Sequence, residues 1–273
     1  MRLIVTADDV GLHAGMNAGA VRAHVDGIVT ACSVVANGAA FGDAVDRLSE
    51  CPRMSVGVHL TLVEESPVCS AQKISSLLAD NGRFFRNFRS FSARYALGRI
   101  RIAEVELELR TQIEKLLAIG LQPAHLNGHQ HLHVLPRIFD VVLSLADEYR
   151  IGYVRIPSDH VPAGTATGRA VSMKVLNVFG EHARRRGRDL RTATTFGIVG
   201  AGHLTYSRLL ALLGGLNGDT AELVCHPGIG DAGIAEAYDW GYAWDQETET
   251  LCDPAVREEL VNRGIVLITP EAV

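Results

Sequence analysis

The chain has 273 residues, 47% apolar and 21% charged, with a net charge of −5. That is the balance of a globular protein with a sizeable core, and it excludes intrinsic disorder, collagen-like sequence and a fibrous repeat. The mild acidity argues against a surface that tracks nucleic-acid phosphates.

The first strand is predicted over Arg2–Ala7, and it runs directly into Asp8-Asp9. Two carboxylates so early rule out a signal peptide, and a cytoplasmic protein is expected. Ala14–Val25 has helical period, followed by a β-branched run at Thr30–Val35, a helix at Phe41–Ser49 and a strand at Ser55–Leu60 that holds His59. Thr61–Arg101 breaks this rhythm; it is long, contains Ser and Arg, and carries the turn signal Asn81-Gly82. The clearest helix is Ile102–Ile119, where Val105, Leu109, Ile113, Leu116 and Leu117 form one apolar stripe. Its Glu104, Glu108 and Glu114 are expected on the solvated side.

A strand at Ala124–Asn127 leads into His129-Gln130-His131-Leu132-His133, then a helix at Pro136–Tyr149 and a strand at Tyr153–Ile156. Ser158–Thr194 is the second irregular stretch, with Pro162, Gly164 and the basic run Arg184-Arg185-Arg186-Gly187-Arg188, read as a solvated helix end. Thr194–Phe196 is a weaker strand, Ser207–Leu213 a helix, and Glu222–Cys225 a strand that ends at His226-Pro227-Gly228. Tyr238, Trp240, Tyr242 and Trp244 alternate along one short run; if it is extended, all four rings share a face. Helix Pro254–Asn262 and strand Ile265–Thr269 close the chain.

Strands alternating with helices imply a parallel sheet. Seven or eight such units of about 35–40 residues, without a linker or repeat, predict one domain over residues 1–273. The expected fold is α/β: a (β/α) barrel, seven-stranded and distorted, of TIM-like type. No apolar run is long enough for a transmembrane segment. Five scattered cysteines without a CxxC pair leave neither a disulfide framework nor a cysteine zinc site.

Asp8-Asp9, His59, the His129–His133 cluster and His226 all fall at predicted strand ends. In such a barrel those ends converge on one face. A carboxylate with two imidazoles suits a divalent cation that keeps positions open for water and substrate. The aromatic run, beside His226, is a candidate platform for a sugar or lipid, or else packing against the barrel rim.

Taken together, Thr6-Ala7-Asp8-Asp9-Val10-Gly11, Gly57-Val58-His59-Leu60, Pro123–His133 and Cys225-His226-Pro227-Gly228 resemble, in order, the motifs of the YdjC-like carbohydrate deacetylases. The likeness continues through Leu251-Cys252-Asp253-Pro254. It implies Asp9, His59 and His129 as ligands of one divalent ion (zinc or magnesium), Asp8 as general base and His226 as the acid for the leaving amine. It implies removal of acetate from an N-acetylated amino sugar, with a small carbohydrate or glycolipid as substrate; the sequence leaves a homo-oligomer open. Tyr238, Trp240 and Trp244 are the candidate substrate contacts. Two departures stand out: Val10 replaces a usual Phe, and Asn127-Gly128 replaces Asp-Ser, so a supporting carboxylate is missing there. The rival readings are another barrel metallohydrolase, lactamase-like or phosphoesterase, and a non-catalytic sugar-binding relative. A further alternative pairs His129 with His133 as HxxxH on a helix. Gly128 and Pro136 flank the cluster and argue instead for extended loop, in which only His129 reaches the ion.

Overall fold

In the computed structural model the described residues are 1–159, 168–187, 190–216 and 218–273. Among these residues eight strands form one sheet: β1 (Arg2–Val10), β2 (Ala31–Val34), β3 (Ser55–Leu60), β4 (His125–Gly128), β5 (Tyr153–Val154), β6 (Thr194–Phe196), β7 (Thr220–Cys225) and β8 (Val266–Leu267). Their order is β5-β4-β3-β2-β1-β7-β6, with β8 beside the foot of β1, and every pairing is parallel. An isolated parallel bridge from Tyr153 to Arg191 brings the two edges together. The result is the distorted α/β barrel that the alternation predicts.

Parallel strands need crossovers, and helices supply them. They are α1 (Ala14–Val25), α2 (Phe41–Ser49), α3 (Phe88–Ala96), α4 (Ile102–Leu117), α5 (Pro136–Glu148), α6 (Gly168–Arg186), α7 (Tyr206–Gly214), α8 (Asp231–Ala237), α9 (Trp244–Cys252) and α10 (Pro254–Asn262). β1 is covered on both faces, which is why it reads as a near-continuous apolar run. Pro136 opens α5, where its missing N–H costs nothing. Gly57 is required by close packing: a Cβ there would meet the His125 ring at 2.4 Å. No helix among the described residues is long and apolar enough to cross a membrane.

Two expectations need correction. Glu104 and Glu108 are not solvated; both are buried, and only Glu114 faces water. The irregular stretch before α4 folds over them, and its amide groups need acceptors once buried. Glu104 accepts from the Ser76 amide at 2.8 Å, and Glu108 from the amides of Val68 and Cys69 at 2.9 Å each. The His129–His133 segment is not extended either. It makes tight 3₁₀ turns, with Gln130 and His131 at φ of 50° and 57°.

The basic run is tied to its surroundings. Arg184 donates to the Ile156 carbonyl and the Ser158 hydroxyl, Arg185 pairs with Glu181, and Arg186 pairs with Asp140. Their positive charge sits in the last turn of α6, where the helix dipole favours it. Arg188, Pro162 and Gly164 lie outside the described residues.

Candidate metal centre

The site is built on strand ends. β1 changes register against β2 between Ala7 and Val10, and Asp9 there adopts φ 66°. Regular alternation would send adjacent side chains to opposite faces. The irregularity instead lets Asp8 and Asp9 share one buried neighbourhood.

Asp9 Oδ1 lies 2.9 Å from His129 Nδ1 and 3.3 Å from His59 Nε2. The ligand atoms of Asp9, His59 and His129 all fall within 4.8 Å of one another, and all three residues are buried. His59 Nδ1 lies 2.7 Å from Asn127 Oδ1 and 3.0 Å from Ser33 Oγ. Asn127 Nδ2 is committed to Asp8, so Asn127 Oδ1 faces His59 and the imidazole proton belongs on Nδ1. His59 Nε2 is then an unprotonated lone pair facing a carboxylate oxygen. Such a pair calls for a positive charge between, so these residues fit a divalent cation.

In the metal-free protein a proton on His129 places a positive charge beside Asp9 instead. Burial works against a cation on His129, yet Asp9 and then Glu64 lift its pKa to about 10. Burial likewise opposes ionisation of Asp9, but His129 and His59 hold it well below the usual carboxylate range.

Asp8 is held differently. Its Oδ1 accepts from Ser33 at 2.8 Å and Asn127 at 3.1 Å, and its Oδ2 accepts from Arg155. Burial resists the charge, but the Arg155 guanidinium and His59 outweigh it, so Asp8 stays ionised far below neutral pH. Arg155 also donates to Glu222, which accepts from Thr6 and Tyr153 as well.

His226, at the end of β7, places Nε2 3.9 Å from Asp9 Oδ2, and its ring packs 5.2 Å from that of Tyr242. The rings of Tyr238, Trp240 and Tyr242 form a half-buried wall. Trp240 lies 5.5 Å from the His129 ring and 4.9 Å from Tyr238. Trp244 stands apart from that wall's open side. The chain turns into α9 at that residue and buries it to 1% exposure among Leu12, Met16, Val35 and Ile234. His131 and His133 stay outside the triad, and His133 Nε2 bonds the Arg155 carbonyl at 2.8 Å.

Four contributors were not assigned from sequence: Arg155, Glu222, Ser33 and Glu64. Arg155 did leave a signal. An arginine two residues from Tyr153 in a strand buried on both sides needs carboxylate partners.

A family profile described as YdjC-like protein matches residues 2–262. The chain is similar to a carbohydrate deacetylase of Geobacillus stearothermophilus, with 30% identity over 97% of this chain and 95% of the relative. It is similar to a carbohydrate deacetylase of Homo sapiens, with 32% identity over 98% of this chain and 89% of the relative. Among solved structures, an Enterococcus faecalis protein provisionally described as a cellobiose-phosphate cleavage protein superimposes with a TM-score of 0.79. That match covers 99% of this chain and 98% of the other at 24% identity, and it speaks to the fold.

Proposed function

The chain belongs to the YdjC-like family, and on that premise we propose that it is a metal-dependent deacetylase acting on an N-acetylated amino sugar in an oligosaccharide or glycoconjugate. The observation that carries this reading is the convergence of Asp9, His59 and His129 within 4.8 Å, with Asp8 and His226 beside them. The names of the full-length relatives supply the substrate class.

An N-acetyl group is an unactivated amide, so its hydrolysis needs a strong nucleophile, charge stabilisation and a protonated leaving group. Asp9, His59 and His129 would hold a zinc or magnesium ion, which would supply Lewis acidity at the site. Two imidazoles with one carboxylate favour zinc. Asp8 takes one proton from the water as its oxygen bonds to the carbonyl carbon. Arg155 keeps Asp8 ionised and fixed in place, at the expense of its basicity. His226 gives a proton to the nitrogen as the carbon–nitrogen bond breaks, leaving acetic acid, whose remaining proton passes to the released amine to give acetate and an ammonium group. The proton on Asp8 then restores His226. Tyr238 and Trp240 offer ring faces to the sugar, and Trp244 braces them from the core. Arg155 is spent on Asp8 and Glu222, which leaves it unavailable to a phosphoester.

The test is acetate release from N-acetylglucosamine, its oligosaccharides and lipid-linked forms, before chelation, after it, and with zinc or magnesium restored. Release that stops on chelation and returns with metal is expected. Release indifferent to chelation overturns the proposal.

A further inference from the structure

We infer that Glu64 is the positioning residue for His129, fixing the ring so that Nδ1 is presented to the metal; this rests on the assignment of Asp9, His59 and His129 as ligands. Glu64 stands four residues past β3, in the stretch whose sequence shows no regular period. Its two carboxylate oxygens are divided between neighbours. Oε2 lies 3.1 Å from His129 Nε2, and Oε1 accepts from Gln130 Nε2 at 2.7 Å. Gln130 in turn accepts from the Phe88 amide at 2.7 Å through its side-chain oxygen, so the carboxylate is anchored to α3.

A carboxylate is an acceptor only, so Glu64 keeps a proton on His129 Nε2, and a cation that displaces the Nδ1 proton meets the lone pair of that nitrogen. That nitrogen is the one facing Asp9, at 2.9 Å. Imidazole ligands are commonly oriented through their second nitrogen in this way. The carboxylate absent at position 127 is thus supplied by a different element, on the other ligating histidine. His59 has neutral partners, Asn127 and Ser33, in the same role.

Backbone strain points to the same place. Among the described residues, five non-glycine residues have positive φ: Asp9, Glu64, Gln130, His131 and Arg150. Asp9, Glu64 and Gln130 belong to this constellation, and His131 lies in the turn beside it. Such conformations are costly for residues with a Cβ, and they gather where a function depends on the geometry. The adjacent Glu65 accepts from the Tyr238 hydroxyl at 3.0 Å, so the same loop also braces the aromatic wall.

The experiment compares the parent with Glu64→Gln and Glu64→Ala, each stripped and titrated with zinc alone against a chromophoric chelator, alongside melts of the stripped proteins. Glu64→Ala is expected to bind zinc about 10–100-fold more weakly. Glu64→Gln, whose amide oxygen still accepts from Nε2, is expected to recover most of that loss. The stripped melts should differ by only a few degrees. Parental zinc affinity in Glu64→Ala overturns the inference while leaving the ligand assignment standing. Equal loss in both variants, together with a large drop in their stripped melts, marks a structural residue and also overturns it. A parent that binds no zinc overturns this inference and the ligand assignment together.

Discussion

Arg155 and Asp8 form an ion pair at the centre of the barrel, with the arginine at 0% and the aspartate at 3% exposure. The same guanidinium holds Glu222 at 2.8 Å. Two buried carboxylates therefore depend on one cation. Arg155→Met is expected to destabilise the fold by about 3–5 kcal/mol, since it leaves both charges uncompensated. Its second effect is on Asp8. With the guanidinium gone, burial raises the Asp8 pKa, so the acidic limb of kcat/KM moves to higher pH. Urea unfolding and a pH–rate profile check the two effects, and an unchanged urea midpoint counts against the pair's structural weight.

The parts of this site legible in the sequence are those that sit at strand ends. Asp9, His59, His129 and His226 each close or follow a β-branched run, and barrel topology alone brings such positions together. Glu64 was not legible because nothing local distinguishes it from an exposed loop acid. Its role arises from a turn at positive φ that meets His129 from another element. The error at Glu104 and Glu108 has the same root. A helix with one apolar stripe reads as having one buried face, and the segment that covers its other face has no period of its own. Trp244 alternates perfectly with Trp240 in sequence, but a helix starts there and takes it into the core.

Stability of the metal-free protein should depend on pH in two opposing ways. His129 is raised to about 10, mainly by Asp9 acting against burial; its contribution is complete below pH 6.5 and is lost as pH climbs towards 10. His125 and His133 are lowered to about 4 by burial, so their contributions are present above pH 6.5 and are lost as pH falls towards 4. Melts of the chelated protein should therefore peak at about pH 6.5 and decline on both sides. A melting temperature that climbs steadily to pH 9 contradicts the His129 assignment.

Asp8 and Asp9 are neighbours with separate tasks, and Asp8→Asn separates them. Asp8 touches Ser33, Asn127 and Arg155 and has no place in the triad. The variant should bind one metal per chain and turn over no substrate. Metal loss in Asp8→Asn would move Asp8 into the ligand set.

The two tryptophans should also respond differently. Trp240 is half-buried with its ring against His129, so Trp240→Ala should raise KM for sugar substrates about 2–10-fold, the worth of one aromatic contact. Trp244 is buried in the core, and Trp244→Ala should cost about 3–5 kcal/mol of stability. Steady-state kinetics beside thermal unfolding distinguishes them. A stable Trp244→Ala with a raised KM would place that ring at the substrate after all.

The ligand set itself can be decided by three substitutions. The HxxxH alternative requires a helix that points His129 and His133 at one ion, which leaves His59 without a role. The backbone does not form that helix, because Gln130 and His131 enter the left-handed region between the two histidines. His133 is turned inwards, with Nε2 on the Arg155 carbonyl at 2.8 Å, and its contribution is to hold the strand end that carries Arg155. His59 instead meets Asp9 from β3, with Nε2 at 3.3 Å from Oδ1. His59→Ala and His129→Ala should each lose the metal and all activity, whereas His133→Ala should keep its metal and lose stability. Metal content of the three purified proteins is the measurement. Full occupancy in His59→Ala with none in His133→Ala would replace the Asp9–His59–His129 site by the HxxxH one.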